Sequence, residues 1–176
     1  MAQVGWIIDL GKCVGCKACT VSCKMENNTT TEVNYRWVIE RESGTYPNPQ
    51  LSFISMGCNH CTDPACMASC PVDAITKRTS DGIVLIDQDA CIGCKYCMAA
   101  CPYGAPQFNA ITLKVEKCTY CAARADASLG PACARTCVGG AIQAVTDESW
   151  DGTGPDGFSR RALTNPSIKF VNSTPT

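Results

Sequence analysis

The stretch Cys91-Ile92-Gly93-Cys94-Lys95-Tyr96-Cys97-Met98-Ala99-Ala100-Cys101-Pro102 decides the reading of the chain, because its C-x2-C-x2-C-x3-C spacing is repeated elsewhere. The same spacing holds Cys13, Cys16, Cys19 and Cys23. Cys58, Cys61, Cys66 and Cys70 follow C-x2-C-x4-C-x3-C, and Cys118, Cys121, Cys133 and Cys137 follow C-x2-C-x11-C-x3-C. These four sets use all 16 cysteines of the chain. The repetition reads as one of cysteines, with the residues between them unrelated.

Composition narrows what the cysteines can be for. The chain has 176 residues, a formal net charge of −1 and 45% apolar residues when cysteine is counted. Without cysteine only about 36% is ordinary apolar material, so a core must be completed by something other than side chains. The charge balance and the lack of a basic stripe exclude a nucleic-acid partner. The run Ile83-Val84-Leu85-Ile86 is far short of the roughly 20 apolar residues needed to cross a bilayer, so no direct membrane span is expected. The first residues, Met1 to Asp9, lack a charged leader and read as a strand. Arg160-Arg161 lies too late for an N-terminal twin-arginine signal, so any export is expected to depend on a partner.

Three uses of sixteen cysteines compete. A disulfide scaffold belongs to small secreted chains, and no secretory leader is read here. Zinc sites pair two C-x-x-C elements, whereas C-x2-C-x2-C puts three thiolates on one tight loop and a fourth on a separate turn; a zinc scaffold is the remote alternative. An iron–sulfur cubane has four iron corners. A loop with cysteine at every third position wraps three of them, and a distant cysteine closes the fourth. In this bacterial ferredoxin run the fourth cysteine ligates the other cluster of a pair. Four 4Fe–4S clusters are therefore expected.

Crossed ligation then predicts the ligand sets. The second and third sets are separated only by residues 71–90, with a hairpin expected from Ala74-Ile75-Thr76-Lys77 to Ile83-Val84-Leu85-Ile86 around Asp81-Gly82. They should form one unit, with clusters on Cys58, Cys61, Cys66 and Cys101, and on Cys91, Cys94, Cys97 and Cys70. By elimination the first and fourth sets pair across the chain. Their clusters take Cys13, Cys16, Cys19 and Cys137, and Cys118, Cys121, Cys133 and Cys23. All corners being filled by cysteine, neither an open iron site nor a 3Fe–4S centre is expected.

The fold expected is α+β: two interleaved bacterial-ferredoxin-like units with short helices, β-hairpins and an irregular C-terminal arm. Residues 1–146 form the double domain, with an outer unit of about 4–27 plus 111–146, an inserted unit of about 54–110 and a β-excursion over 28–53. Within the excursion Tyr35, Trp37 and Ile39 alternate, and Gly44, Pro47 and Pro49 mark a turn. Short helical turns are expected at 65–70 and 96–101, and a strand from Ile111 to Glu116. Residues 147–176, rich in Gly, Pro, Ser and Asp, are read as an extended arm on a partner.

No G-x-G-x-x-G follows a strand and no phosphate loop or triad can be assembled, so the chain is expected to move electrons without transforming a substrate. Cluster potentials respond to nearby charge and hydrogen bonds, which makes His60, Lys17 and Lys95 candidate tuning groups. For His60 the plainer alternative is a structural hydrogen bond, and for the lysines a solvated loop position. Trp6, Trp37 and Trp150 read as packing residues.

The order of the sets, the run Cys58-Asn59-His60-Cys61-Thr62-Asp63-Pro64-Ala65-Cys66 and the run Cys101-Pro102-Tyr103-Gly104-Ala105-Pro106-Gln107-Phe108-Asn109 resemble the four-cluster electron-transfer subunits of the dimethyl sulfoxide reductase family of molybdoenzymes. The resemblance covers about residues 4–145, and Asn165-Pro166-Ser167-Ile168-Lys169-Phe170 is similar to the family's closing arm. The sequence departs from the family after Cys137, where Val138-Gly139-Gly140 stands in place of a proline.

The resemblance implies a complex with a molybdenum or tungsten bis-pterin catalytic subunit and a quinone-reactive integral membrane anchor. The Cys13, Cys16, Cys19 and Cys137 cluster would lie nearest the pterin subunit. It implies membrane association through partners, on the periplasmic face by co-export with the catalytic subunit or else on the cytoplasmic face. The same wire would serve a polysulfide, thiosulfate, tetrathionate or arsenate reductase, a formate dehydrogenase or a hydrogenase.

Overall fold

A computed structural model describes residues 2–146, 150, 154, 155, 158 and 161–172, with the side chains of 161 and 162 excepted. The chain opens with β1 (Val4–Asp9), whose residues are nearly all buried, as a strand flanked on both edges requires. Helix α1 (Ala18–Asn27) follows the first cysteine loop. Next come β2 (Arg36–Ser43) and β3 (Gln50–Gly57), α2 (Ala65–Ala68), β4 (Ile75–Lys77), β5 (Val84–Ile86) and α3 (Tyr96–Ala100). The chain continues through β6 (Gln107–Asn109), β7 (Lys114–Glu116), α4 (Ala122–Asp126), α5 (Ala132–Arg135), β8 (Ile142–Thr146), α6 (Arg161–Thr164) and β9 (Ile168–Val171). This is an α+β arrangement of short helices and small sheets.

Sequence patterns account for most of these elements. The alternation around Trp37 becomes the β2–β3 hairpin, paired antiparallel from Arg36 with Gly57 to Ser43 with Gln50. The expected small hairpin forms as β4–β5, Ile75 facing Ile86 and Lys77 facing Val84, with Gly82 at φ 74 in its turn. Ile75 and Val84 are buried, whereas the alternate residues are more exposed, the pattern of a half-buried pair.

Two expectations are corrected. The strand read over Ile111 to Glu116 begins only at Lys114 and pairs with β6, Asn109 facing Lys114. Asn109 Oδ1 accepts the N–H groups of Ile111 and Thr112 at 2.9 and 3.3 Å, and Leu113 has φ 57, so 110–113 is a turn. Ile111 and Leu113 are exposed, and their apolar alternation belongs to a loop. This β6–β7 hairpin spans the position, 110/111, at which the inserted unit was expected to end.

The second correction concerns the arm over 147–176. Its residues 147–149, 151–153, 156, 157, 159, 160 and 173–176 lie outside the described residues, as does the Arg160 position of the Arg-Arg pair. Within it, residues 161–172 hold two regular elements. They form α6 and then β9, which pairs parallel with β1 from Trp6 beside Ile168 to Asp9 beside Val171. With β8 antiparallel on the other edge, from Val4 facing Thr146 to Ile8 facing Ile142, the sheet order is β8-β1-β9. Only four residues of apolar alternation made β9 invisible in a Gly- and Pro-rich tail; β1 supplies its missing partner.

The core lies on this sheet. Trp6, Ile8 and Ile168 are almost fully buried, each contributing about 1.5–3 kcal/mol by removal from water. Trp6 Nε1 donates to the Cys58 carbonyl at 3.0 Å, and its ring packs on Tyr120 at 4.5 Å between centroids. Trp37 packs partly buried against the same core, so these two tryptophans are packing residues. An Ile168→Ala change, which leaves a cavity against β1, should cost about 2–5 kcal/mol. Anaerobic denaturant titration of the cluster-loaded protein would read this as a lower midpoint; an unchanged midpoint would mean that β9 is not part of the cooperative core.

Candidate functional site

The geometry of the cysteines starts in the loops that carry them. In Cys13-Val14-Gly15-Cys16-Lys17-Ala18-Cys19 and Cys91-Ile92-Gly93-Cys94-Lys95-Tyr96-Cys97, glycine takes φ 68 and 69, and lysine takes φ 59 and 66. Left-handed backbone at two of four consecutive residues coils the loop so that its thiols turn to one side. Each loop then enters a helix, α1 or α3, with the lysine at the N-cap. The other two sets share a different device: Pro64-Ala65-Cys66 starts α2 and Pro131-Ala132-Cys133 starts α5, with extended proline as N-cap both times. The repetition therefore extends beyond the cysteines to Gly, Lys, Pro and Ala, correcting the view that the intervening residues are unrelated.

Three cavities are walled by four cysteines each. Cys58, Cys61, Cys66 and Cys101 line one of about 370 Å³, open at its mouth. Cys70, Cys91, Cys94 and Cys97 line a second of about 300 Å³. Cys13, Cys16, Cys19 and Cys137 line a third of about 340 Å³. In every case three cysteines come from one set and the fourth from the set with which crossed ligation pairs it. The remaining four, Cys23, Cys118, Cys121 and Cys133, are all buried. The charges of Cys133 and Cys121 act on Cys23, and those of Cys23 and Cys133 on Cys118, so the four lie near one another.

Thiols of neighbouring groups also lie near one another. Cys19, Cys23, Cys58 and Cys118 share one buried cluster and Cys66 packs against the cluster of Cys97, and the charges of Cys19 and Cys23, of Cys58 and Cys118, and of Cys97 and Cys66 act on one another. The four groups thus form a row. It runs from Cys13/16/19/137 through Cys23/118/121/133 and Cys58/61/66/101 to Cys70/91/94/97. Cys16 and Cys94, in the two end groups, are the exposed cysteines.

The donor set has a definite chemical character. Burial, with repulsion from neighbouring thiols, pushes Cys23, Cys61 and Cys66 up to about 12 and Cys97 up to about 11. Cys118 is raised well above its usual value for the same reasons. Such thiols are poor as free thiolates, but direct bonds to a cationic metal centre offset both effects. Among the described residues no three His, Cys, Asp or Glu side chains meet at one point as a single ion requires. Thiols ringed around a cavity suit a polynuclear cluster. Backbone N–H groups aim at the sulfurs as well: Ala141 to Cys137 at 3.2 Å and Tyr120 to Cys118 at 3.4 Å.

The candidate tuning residues have different surroundings. Lys17 Nζ pairs with Glu40 at 2.8 Å, both half exposed, and Lys95 Nζ sits 3.8 Å from the Phe108 ring centroid. Each lysine also borders the cavity of its own loop. His60 is fully buried in the wall of the Cys58 cavity. Its Nδ1 accepts the Val84 N–H at 3.1 Å, which leaves the proton on Nε2, and Nε2 has no partner among the described residues. Burial, then the charges of Lys117, Arg36 and Lys77, hold its pKa well below the usual value, so the imidazole is neutral.

Sequence reading missed three contributors. Lys117 is buried beside the Cys58 cavity, donating to the carbonyls of Val84 and Cys118. Arg36 is a buried guanidinium among the inner thiols. Thr164 joins the wall of the Cys58 cavity from the C-terminal segment, and its hydroxyl lies 2.7 Å from that of Tyr103. The segment is tied there by Thr62 N–H to Asn165 O at 2.9 Å and Ser167 N–H to Asn59 O at 3.2 Å. No local signal marks any of these. Each depends on a contact between residues far apart in the chain.

Known proteins agree with this chemistry. A family profile described as a 4Fe-4S dicluster domain matches residues 49–147. The chain is similar to a component of the anaerobic dimethyl sulfoxide reductase of Escherichia coli (strain K12), 41% identical over 143 residues, 77% of this chain and 69% of that protein. It is similar to a component of the tetrathionate reductase of Salmonella typhimurium, 46% identical over 140 residues, 77% of this chain and 54% of the relative. A component of the selenate reductase of Mesobacillus selenatarsenatis is 51% identical over 109 residues, 61% of this chain and 37% of the relative. With its cysteine spacing, α+β fold and matched length, the chain belongs to the 4Fe–4S dicluster family and, within it, to the non-catalytic iron–sulfur electron-transfer subunits of the dimethyl sulfoxide reductase family.

Proposed function

We propose that the chain carries four 4Fe–4S clusters and relays electrons between a molybdenum or tungsten bis-pterin catalytic subunit and a quinone-reactive membrane anchor, in a respiratory oxidoreductase of the dimethyl sulfoxide reductase type. The observation that carries it is the row of four cysteine groups, three of them around cavities, with the exposed cysteines at its two ends. When bound, each cluster accepts and releases one electron at a potential set by its surroundings.

The ligands are Cys13, Cys16, Cys19 and Cys137; Cys118, Cys121, Cys133 and Cys23; Cys58, Cys61, Cys66 and Cys101; and Cys91, Cys94, Cys97 and Cys70. Residues 1–146 then make up two ferredoxin-like units, one inserted in the other. His60 supplies an N–H donor to the wall of the Cys58 cavity. Lys17 and Lys95 supply weaker positive charge at the end groups, because Glu40 and exposure to water screen Lys17 and a ring holds Lys95. Apolar and backbone atoms exclude water from the group of Cys23, Cys118, Cys121 and Cys133, all four of which are buried.

Among the described residues no helix is long and apolar enough to cross a membrane. In the proposed complex the bilayer is met through the anchor subunit, on the periplasmic face by co-export with the catalytic subunit. The likeness to the tetrathionate reductase component, at 46% identity, favours a second reading in which the same relay serves tetrathionate reduction. Anaerobic purification from the native source tests the proposal. It should yield about sixteen iron and sixteen sulfide per chain, with molybdenum or tungsten in a large co-purifying subunit and an integral membrane subunit. A colourless chain with stoichiometric zinc would sink it, and nickel with hydrogenase subunits would redirect it.

A further inference from the structure

Arg36 opens β2 and is 2% exposed. Its guanidinium lies 4.3 Å from the centroid of the Trp6 ring, and Nη1 donates to Ser55 Oγ at 3.1 Å. Nε and Nη2 are buried and have no partner among the described residues, and none of the ion pairs among them includes Arg36. A buried cation with two unused donors and no carboxylate is strongly unfavourable unless another negative group compensates it.

The groups around it are thiols. Cys133, Cys118, Cys19 and Cys23 are the groups whose charges act most strongly on the guanidinium. Cys19 belongs to one cysteine group, and Cys23, Cys118 and Cys133 belong to the next. Ser55 extends the link, because its Oγ also lies 3.6 Å from Cys19 Sγ. Arg36 is thus at the junction of the first two groups in the row. Gly57 faces Arg36 across β2–β3, where a Cβ would be in ordinary contact with Nη2 at 3.5 Å.

Resting on the proposal that these thiols hold clusters, we infer that Arg36 is the shared counter-charge of the two clusters on Cys13/16/19/137 and Cys23/118/121/133, aiming Nε–H and Nη2–H at their thiolate sulfurs and raising both reduction potentials. Reduction adds one electron and forms no bond. A fixed cation and N–H···S hydrogen bonds in a low-dielectric site favour the more negative, reduced state. The effect is largest in this pair, because Cys19, Cys23, Cys118 and Cys133, whose charges act most on Arg36, belong to it, while toward the third group its charge reaches His60 in the wall of the Cys58 cavity. Arg36 is therefore a positioning and tuning residue that ligates no iron.

The test uses the whole complex, isolated anaerobically, with wild type, Arg36→Gln and Arg36→Lys titrated electrochemically and followed by electron paramagnetic resonance. Signals are assigned to groups by single Cys→Ser variants. With iron content unchanged, Arg36→Gln should shift the potentials of the two named clusters downward, and by more than those of the other two. Arg36→Lys, which keeps the charge and loses the Nε and Nη2 directions, should shift them less. Fully loaded Arg36→Gln with all four potentials unchanged, or all four shifted alike, would overturn the inference.

A measurement on the wild type covers the case in which the glutamine variant does not fold. Guanidino-15N arginine should give 15N hyperfine coupling to the reduced spin of this pair in pulsed resonance spectra, and absence of that coupling would overturn the inference as well. A wild-type chain that holds no cluster at either group overturns the proposed function itself, an outcome distinct from an untuned pair.

Discussion

A Cys101→Ser variant is expected to lose or convert one 4Fe–4S cluster, the one in the cavity it shares with Cys58, Cys61 and Cys66, and to keep the cluster bound by Cys91, Cys94 and Cys97. The result runs against proximity in sequence, since Cys101 is four residues from Cys97 and 35 residues from Cys66. The reason is a change of direction at the end of α3. Cys101 is the C-cap of that helix at φ −83 and ψ 114, so extended backbone turns its thiol away from its own loop into the neighbouring cavity. Pro102 follows and excludes continuation of the helix.

Electron paramagnetic resonance of anaerobically prepared Cys101→Ser, Cys58→Ser and Cys91→Ser proteins would decide the matter. The first two should erase or alter the same signal, and the third a different one. Shared loss in Cys101→Ser and Cys91→Ser would mean that each set holds its own cluster, and the crossed assignment would fall. On the proposed relay, in which the row is a series path, losing its third member should also reduce quinol-dependent turnover of the complex by orders of magnitude.

Iron removal should have the larger effect on the fold. Anaerobic chelation or acid extraction is expected to abolish most of the net stability, which for a domain of this size is about 5–15 kcal/mol. Apart from α1, the helices are four or five residues long, too short to persist without tertiary support. Three thiol-walled cavities would lose their contents, and Arg36 would remain buried with its counter-charge removed. Circular dichroism should show loss of the cooperative thermal transition in the iron-free protein, with recovery on reconstitution with iron and sulfide. An apoprotein with the transition temperature of the loaded form would show that side chains alone build the core.

The chemistry was legible because cysteine spacing is a local code. C-x2-C-x2-C-x3-C specifies how three thiols share a loop and a fourth leaves it, and no tertiary information is needed to see that four groups exist. The β2–β3 and β4–β5 hairpins were legible for a similar reason: alternation and turn residues lie next to each other in sequence. A fuller reading of the loops was available too. Gly15 and Gly93, Lys17 and Lys95, and Pro64 and Pro131 recur at matched positions, a repeat that the cysteines alone conceal.

What escaped was non-local. The Ile111 and Leu113 alternation mimics a strand, but Asn109 captures the following N–H groups and makes a turn. In the C-terminal segment β9 has too few apolar residues to announce itself; it exists because β1 offers a free edge, and it brings Thr164 to the Cys58 cavity. Arg36 reads as an ordinary charged residue at the start of an amphipathic strand, and only the packing of α1, α5 and β1 around it turns it into a buried cation.

The sequence by itself thus determined the number of cysteine groups and the electron-transfer class, since each follows from the identity and spacing of donors along a short span of chain. The tertiary structure alone decided the order of the groups in the row, the closing of one cavity by the C-terminal segment and the placing of Arg36 and Lys117 beside the thiols. Those features depend on which distant residues share a low-dielectric interior, and electrostatic interaction there is set by separation in space.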